Sequence, residues 1–135
     1  SNEKNPIILN EVLQEVTETI VSELLFKKEF PLGGKVVDAS QDGKFVTEFK
    51  TKGKIDSRGR SLRDLDLQDR LFKYRCSYMI YSKSFSAFPE SLKNSVLNRI
   101  KKVLISESPQ LGYEYLEVEE KKAIFEILSE TLAGF

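Results

Sequence analysis

The sequence predicts an all-α fold, an irregular single-domain bundle of five or six helices around one core. Apolar residues recur every three or four positions in three long segments, and no two strand-like runs are joined by a hairpin turn. At 135 residues, the chain has the length of one domain that buries its own core. We therefore expect residues 1–135 to form a single domain.

The first predicted helix covers about residues 6–27. Asn5 suits the cap of its first turn, and Pro6 suits the position after the cap. The helix has an apolar face of Ile8, Leu9, Val12, Leu13, Val16, Ile20 and Leu24, with Glu11, Glu15, Glu18 and Glu23 facing away. We expect the apolar face to pack in the protein's own core, although a helix that binds a partner has the same pattern.

A loop follows over about residues 27–40, where Gly33-Gly34 lacks the spacing of a phosphate-binding loop. A short helix is predicted over about residues 41–52 and ends at Gly53, with a strand as the alternative. Its apolar residues are Phe45, Val46 and Phe49.

Residues 54–65 are polar and predict an ordered loop, followed by a short helix with Leu67, Leu71 and Tyr74 on one face. Aromatic residues at positions 78, 81, 85 and 88 then predict a helix over about residues 76–88. That helix would be apolar nearly all round, so we expect it at the centre of the bundle.

Two more helices are predicted, over about residues 89–106 and 118–131, each with one apolar face. Gly134 closes the second of them. In the loop between the two helices, we expect three apolar residues to fold back onto the core: Tyr113, Tyr115 and Leu116.

The composition disfavours several classes of function. Lys plus Arg and Asp plus Glu each number 21, so the net charge is zero and no nucleic-acid partner is predicted. Without histidine and with one cysteine, the chain lacks the commonest general base, cysteine metal clusters and internal disulfides. No run has the length of a membrane span, and no cofactor is predicted. Ser1-Asn2 resembles a cloning scar, so we expect a fragment of a larger protein.

Residues 56–75, called the arginine-rich segment below, hold five of the six arginines. Arginine is preferred over lysine where a planar, partly buried contact forms with a carboxylate or phosphate. The candidate anion-binding residues are Arg58, Arg60, Ser61, Arg63, Arg70 and Arg75. The candidate ion-pair residues are Asp56, Asp64, Asp66 and Asp69.

Three interpretations of this segment are open. In the favoured one, the aspartates pin Arg60, Arg63 and Arg70, and ion pairs together with guanidinium–carbonyl hydrogen bonds hold a long loop against the core. In the second, two or three arginines, Ser61 and a helix N-terminus bind a phosphate, a sulfate or a carboxylate. In the third, the segment docks an acidic partner domain.

The residues offer less support for other chemistry. We predict no catalytic residue, because aspartates two and three positions apart occur commonly by chance. We predict no metal site, because adjacent arginines compete for the carboxylate oxygens that a hard cation needs. We expect Cys76 to be buried and inert, and the tyrosines to anchor the core instead of forming a ligand cage.

The stretch GRSLRDLDLQDRLFKYRCSYMIYS, residues 59–82, resembles a segment near the C-terminus of larger, exported bacterial proteins without an assigned activity. The clearest marks are RSLR at 60–63, RLF at 70–72 and CSYMIYS at 76–82, and weaker likeness continues through FPESLKNSVLNRIKKVL and the last helix. Those segments tend to carry proline where this chain has Arg75.

The resemblance implies a terminal, non-catalytic part of a periplasmic or exported parent protein whose chemistry lies upstream. From the clustered arginines and aspartates, we expect an accessory or interaction domain whose arginine-rich segment organises its own fold and docks upstream domains of the parent protein. The alternative is a small-anion site, for binding or catalysis, built on the same arginines.

Overall fold

The structure is a computed structural model that describes residues 6–27 and 43–135. Within these residues, the secondary structure consists of helices, and the β pairing is limited to one isolated bridge between Leu65 and Phe72. The α-helices are α1 (Pro6–Leu24), α2 (Gly43–Thr51), α3 (Lys83–Ser86), α4 (Glu90–Ile105) and α5 (Val118–Thr131), and a 3-10 helix spans Tyr78–Tyr81. The predicted all-α fold class is confirmed.

Helix α4 occupies the centre of the bundle, since it packs against both α1 and α5. Its apolar residues recur at intervals of three and four, so they form one broad buried face. The buried residues of α4 are Val96, Leu97, Ile100, Val103 and Leu104. Those of α5 include Ile124, Ile127 and Leu128.

The prediction of one continuous helix over residues 76–88 at the centre is wrong. The Oγ atoms of Ser77 and Ser82 accept hydrogen bonds from the backbone N–H groups of Met79 and Phe85, respectively. Each serine is therefore the N-cap of a helix, and the extended backbone of Ser82 separates the 3-10 helix from α3. The segment consequently turns a corner between the 3-10 helix and α3.

The short helix predicted around Leu67 is also absent, and residues 64–73 form a hairpin-like turn instead. Leu67 has a φ of 63°, which a residue inside a right-handed helix does not adopt. Its N–H donates to the carbonyl of Arg70 across the turn at 2.9 Å. Of the residues expected on one buried face, Tyr74 is buried and Leu71 is exposed.

Helix α1 is confirmed as an element, but its N-terminal half does not pack as predicted. Among the residues that the structure describes, Leu9, Val12 and Val16 have 46%, 51% and 40% of their surface exposed to solvent, respectively. The reason is that close packing begins further along the helix. Thr17 is buried, and its Oγ1 lies 2.8 Å from Oγ of Ser95 on α4.

Glu18 does not face away from the core, contrary to the prediction. Its carboxylate accepts hydrogen bonds from Nε of Arg99 at 2.9 Å and from the hydroxyl of Tyr113 at 2.7 Å.

The loop before α5 folds back onto the core as predicted, with Tyr113 and Leu116 buried and the Tyr115 hydroxyl bonded to a carbonyl at the end of α1.

Helix α2 lies within the helix predicted over residues 41–52. The predicted cap at Asn5 and most of the loop predicted over residues 27–40 fall outside the described residues. None of the helices within residues 6–27 and 43–135 is long and apolar enough to cross a lipid bilayer.

Candidate functional site

Asp56 organises the first turn of the arginine-rich segment. Its Oδ1 accepts hydrogen bonds from the backbone N–H groups of Arg58 at 3.0 Å and Arg60 at 2.8 Å, and its Oδ2 accepts one from Nε of Arg60 at 2.8 Å. Burial by itself raises the pKa of Asp56, but these hydrogen bonds and the charge of Arg60 outweigh burial and hold the pKa below its usual value. The turn therefore depends on the ionised carboxylate.

Arg60 fastens this turn to α5. Its Nη1 donates to Oε1 of Glu126 at 3.0 Å, and Nη1 of Arg58 lies 3.3 Å from the same oxygen. The backbone N–H of Ser57 donates to Oε1 of Glu130, also on α5, at 3.1 Å. Within the described part of the chain, Nη2 of Arg60 is buried without a hydrogen-bond partner.

Glu120, in the first turn of α5, is the second anchor of the segment. It accepts hydrogen bonds from the backbone N–H of Arg75 at 2.9 Å and from the Arg75 Nη2 at 2.6 Å. Nη2 of Arg75 also donates to the carbonyl of Tyr115 at 2.9 Å, and Nη2 of Arg70 lies 3.6 Å from Oε2 of Glu120. A carboxylate in the first turn is further stabilised by the helix dipole.

Arg63 is held by aromatic rings. Its guanidinium carbon lies 4.6 Å from the ring centroid of Phe49 and 4.4 Å from that of Tyr78, and no carboxylate among the described residues pairs with it. A planar guanidinium stacks on aromatic faces in a way that lysine does not reproduce. A Cβ at Gly53 would lie 2.5 Å from Cδ of Arg63, so glycine leaves room for this arrangement.

The aspartates supply fewer of the arginine partners than expected. Asp56 pairs with Arg60, whereas Asp64 pairs with Lys50 at 3.0 Å and also accepts a hydrogen bond from the N–H of Ser61. Asp66 and Asp69 make no ion pair with any residue that the structure describes. The long-range ion pairs of the arginines in this segment are thus made with glutamates of α5.

Arg70 provides a local brace in addition to its approach to Glu120. Its Nε donates to the carbonyl of Phe72, and its Nη2 donates to the carbonyl of Lys73, each at 3.1 Å. The side-chain hydroxyl of Ser61 accepts a hydrogen bond from the N–H of Arg63 at 3.0 Å. These contacts use donors of Arg70 and Arg63 within the fold.

The site residues that sequence reasoning missed are Glu120, Glu126 and Glu130. Their one signal in the sequence is that Glu120 lies in the first turn of a predicted helix, where a carboxylate is favoured. The spacing between these residues and the arginines carries no signal, because the contacts join distant parts of the chain.

Metal binding and thiol chemistry can both be assessed for the described residues. In residues 6–27 and 43–135, no three His, Cys, Asp or Glu side chains are placed to bind a metal ion. Cys76 is fully buried, and burial raises its thiol pKa to about 12, so the thiol is neutral and unreactive at physiological pH. Comparisons with protein-family models, curated proteins and solved structures give no match to this chain.

Proposed function

We propose that this chain is a non-catalytic accessory domain that binds another part of its parent protein, and that its arginine-rich segment organises the fold. The observation that supports the structural role is the set of partners of Arg60, Arg70 and Arg75. These guanidinium groups donate to carboxylates and carbonyls of the same chain. Donors used in this way are not available to an external ligand.

Docking is better supported at α1 than at the arginine-rich segment. Leu9, Val12 and Val16 form an exposed apolar stripe on α1, which we call the α1 stripe. Exposed apolar residues that are contiguous are typical of protein-binding surfaces. The helix also contains four glutamates and neither lysine nor arginine, and Glu15 lies next to the stripe.

The charge of α1 indicates the chemistry of its partner. A second copy of α1 would place carboxylates against carboxylates, which disfavours self-association. A basic amphipathic helix would cover the α1 stripe with its apolar face and place lysines or arginines near Glu11 and Glu15. We therefore propose that the occupant is a basic amphipathic helix from another domain of the parent protein.

A designed leucine–lysine helical peptide tests this chemistry, with its leucine–glutamate counterpart as the charge control, in a fluorescence anisotropy titration. The leucine–lysine peptide should bind, and the double substitution Val12→Glu and Val16→Glu should weaken binding roughly tenfold or more. Val118→Glu, at an exposed valine on α5, is the matched control and should have no effect. Equal binding to the double variant would contradict the proposal.

Overlapping peptides from the rest of the parent protein test the source of the occupant. Peptides that bind should contain a basic amphipathic helix and compete with the leucine–lysine peptide. A dimer in analytical ultracentrifugation that the double substitution abolishes would instead identify a second copy as the occupant and overturn the proposal.

A small-anion site on the same arginines has less support. It needs at least two guanidinium groups without carboxylate partners, and Arg63 alone meets this condition among the described residues. A thermal shift panel of phosphate, sulfate and small carboxylates separates the two functions. Stabilisation by phosphate that Arg63→Ala abolishes would favour the anion site.

A further inference from the structure

A cleft of about 460 Å³ lies between the corner at Ser82, the first half of α4 and the C-terminal end of α5. The cleft exists because the aromatic segment turns at Ser82 instead of continuing as one helix. Its volume falls in the range of pockets that bind small organic molecules.

The cleft has an apolar floor. Ile80, Phe85 and Leu97 line it and are themselves buried, and Leu132 adds a partly buried apolar side chain from the end of α5. A surface of this kind favours the apolar body of a ligand, because covering it removes apolar area from water.

Two ammonium groups line the same cleft. Nζ of Lys54 lies 6.0 Å from the ring centroid of Tyr81, and Nζ of Lys93 lies 3.1 Å from a carboxylate oxygen of Glu90. Glu90 is the one carboxylate among the described lining residues, so the lining carries an excess of one positive charge. This balance suits a ligand with a single negative charge.

The hydroxyl groups of the cleft are largely used within the protein. The Tyr81 hydroxyl lies 2.5 Å from Oγ1 of Thr131, and the Ser82 hydroxyl caps α3. The lysines are therefore the polar groups best able to select a ligand by charge.

We propose that this cleft binds a small apolar monocarboxylate. The apolar part lies against Phe85 and Leu97, and the carboxylate is attracted by the ammonium groups of Lys54 and Lys93. This site is separate from the α1 stripe, so either proposal can fail without the other.

Three probes of matched shape test the proposal: 4-phenylbutyrate, 4-phenylbutanol and 4-phenylbutylamine, each titrated into the ¹⁵N-labelled protein and followed by NMR. 4-Phenylbutyrate should shift the amide signals of residues 80–86, 94–97 and 131–134. Its Kd should be about tenfold lower than that of the alcohol, because the charge interaction with two partly solvated lysines is moderate. The amine should bind more weakly than the alcohol.

Two variants and a control sharpen the test. Substituting Lys54→Met together with Lys93→Met should reduce the preference for the acid over the alcohol to about twofold or less. Lys44→Met, at an exposed lysine of α2, should leave that preference unchanged. Asn94→Trp, at an exposed lining residue, should fill the cleft and weaken binding of both the acid and the alcohol.

Absence of any shift at millimolar 4-phenylbutyrate would overturn the proposal. Equal affinity for the acid and the alcohol, or an unchanged preference in the double methionine variant, would overturn the assignment of the lysines. Far-UV circular dichroism of each variant verifies that the fold is retained.

Discussion

Arg75 and Arg58 both contact a glutamate of α5, yet their surroundings differ. The side chain of Arg75 is 16% exposed, and that of Arg58 is 67% exposed. Arg75 also makes several hydrogen bonds to Glu120, whereas Arg58 makes a single 3.3 Å contact with Glu126. A sheltered ion pair is costly to break because its remaining charge stays buried, while an exposed pair contributes little.

Arg75→Ala should therefore lower the free energy of unfolding by roughly 3 kcal/mol, since Glu120 would lose its paired guanidinium and keep the backbone N–H of residue 75 and the longer contact to Arg70. Arg58→Ala is the matched control and should change the free energy by less than about 0.5 kcal/mol. Urea denaturation measures both values. Similar losses in the two variants would contradict the assignment of Arg75 as a structural brace.

The sequence indicates that these arginines make planar, partly buried contacts, but it does not identify their partners. Arg75 and Glu120 are 45 positions apart, and Arg60 and Glu126 are 66 apart. Such pairs depend on how the arginine-rich segment lies against α5, which no local spacing reports. Asp56 with Arg60 is the exception, since both residues belong to one short turn.

At the scale of elements, α4 has one isoleucine in the core and another at the surface. Ile100 is fully buried between the neighbouring helices, and Ile105 at the end of α4 is 59% exposed. Removing a buried side chain leaves a cavity in addition to the lost burial, and an exposed side chain leaves none.

Ile100→Ala should lower the free energy of unfolding by about 3 kcal/mol, and Ile105→Ala by less than about 1 kcal/mol. Thermal unfolding followed by circular dichroism compares the two variants. If Ile105→Ala were as damaging as Ile100→Ala, the central position of α4 would be wrong.

The long helices α1, α4 and α5 could be predicted because their apolar period repeats over several turns. The segment over residues 76–88 has the same period in its aromatic residues, but the caps at Ser77 and Ser82 divide it. Both serines are visible in the sequence, and N-cap preference was the signal that could have divided the segment. The left-handed backbone of Leu67 has no comparable signal, because leucine rarely adopts it.

At the scale of the whole molecule, two carboxylates with lowered pKa values belong to contacts that connect distant parts of the chain, Glu18 directly and Asp56 through its partner Arg60. Burial raises the pKa of Glu18 and of Asp56, but their hydrogen bonds to arginines and to Tyr113 and the nearby positive charges outweigh burial. Glu18 links α1 to α4 and to the loop before α5, and Asp56 holds the turn that is fastened to α5.

A carboxylate with a lower pKa in the folded state binds protons more tightly after unfolding, so acid favours the unfolded state. The free energy of unfolding should therefore be constant above about pH 6 and fall below about pH 5, as Glu18 and Asp56 titrate below their ordinary values of 4.5 and 3.8. Urea denaturation at a series of pH values between about 3 and 8 measures the free energy of unfolding as a function of pH. This range includes the ordinary pKa values of aspartate and glutamate.

Glu18→Gln combined with Asp56→Asn should reduce the fall in the free energy of unfolding on the acid side, called the acid limb. The double variant should also be less stable at neutral pH. Glu11→Gln, at an exposed glutamate of α1, serves as the control and should leave the acid limb unchanged. An acid limb of equal slope in the double variant would assign the pH dependence to other groups.

Cys76 gives the protein a built-in reporter of its own motions. It is the single cysteine of the sequence, and its thiol is shielded on all sides. A thiol reagent can reach it only after the surrounding side chains separate, so the rate of alkylation in native buffer measures how often the interior opens. The effect of each substitution can thus be followed without denaturant and without an attached dye.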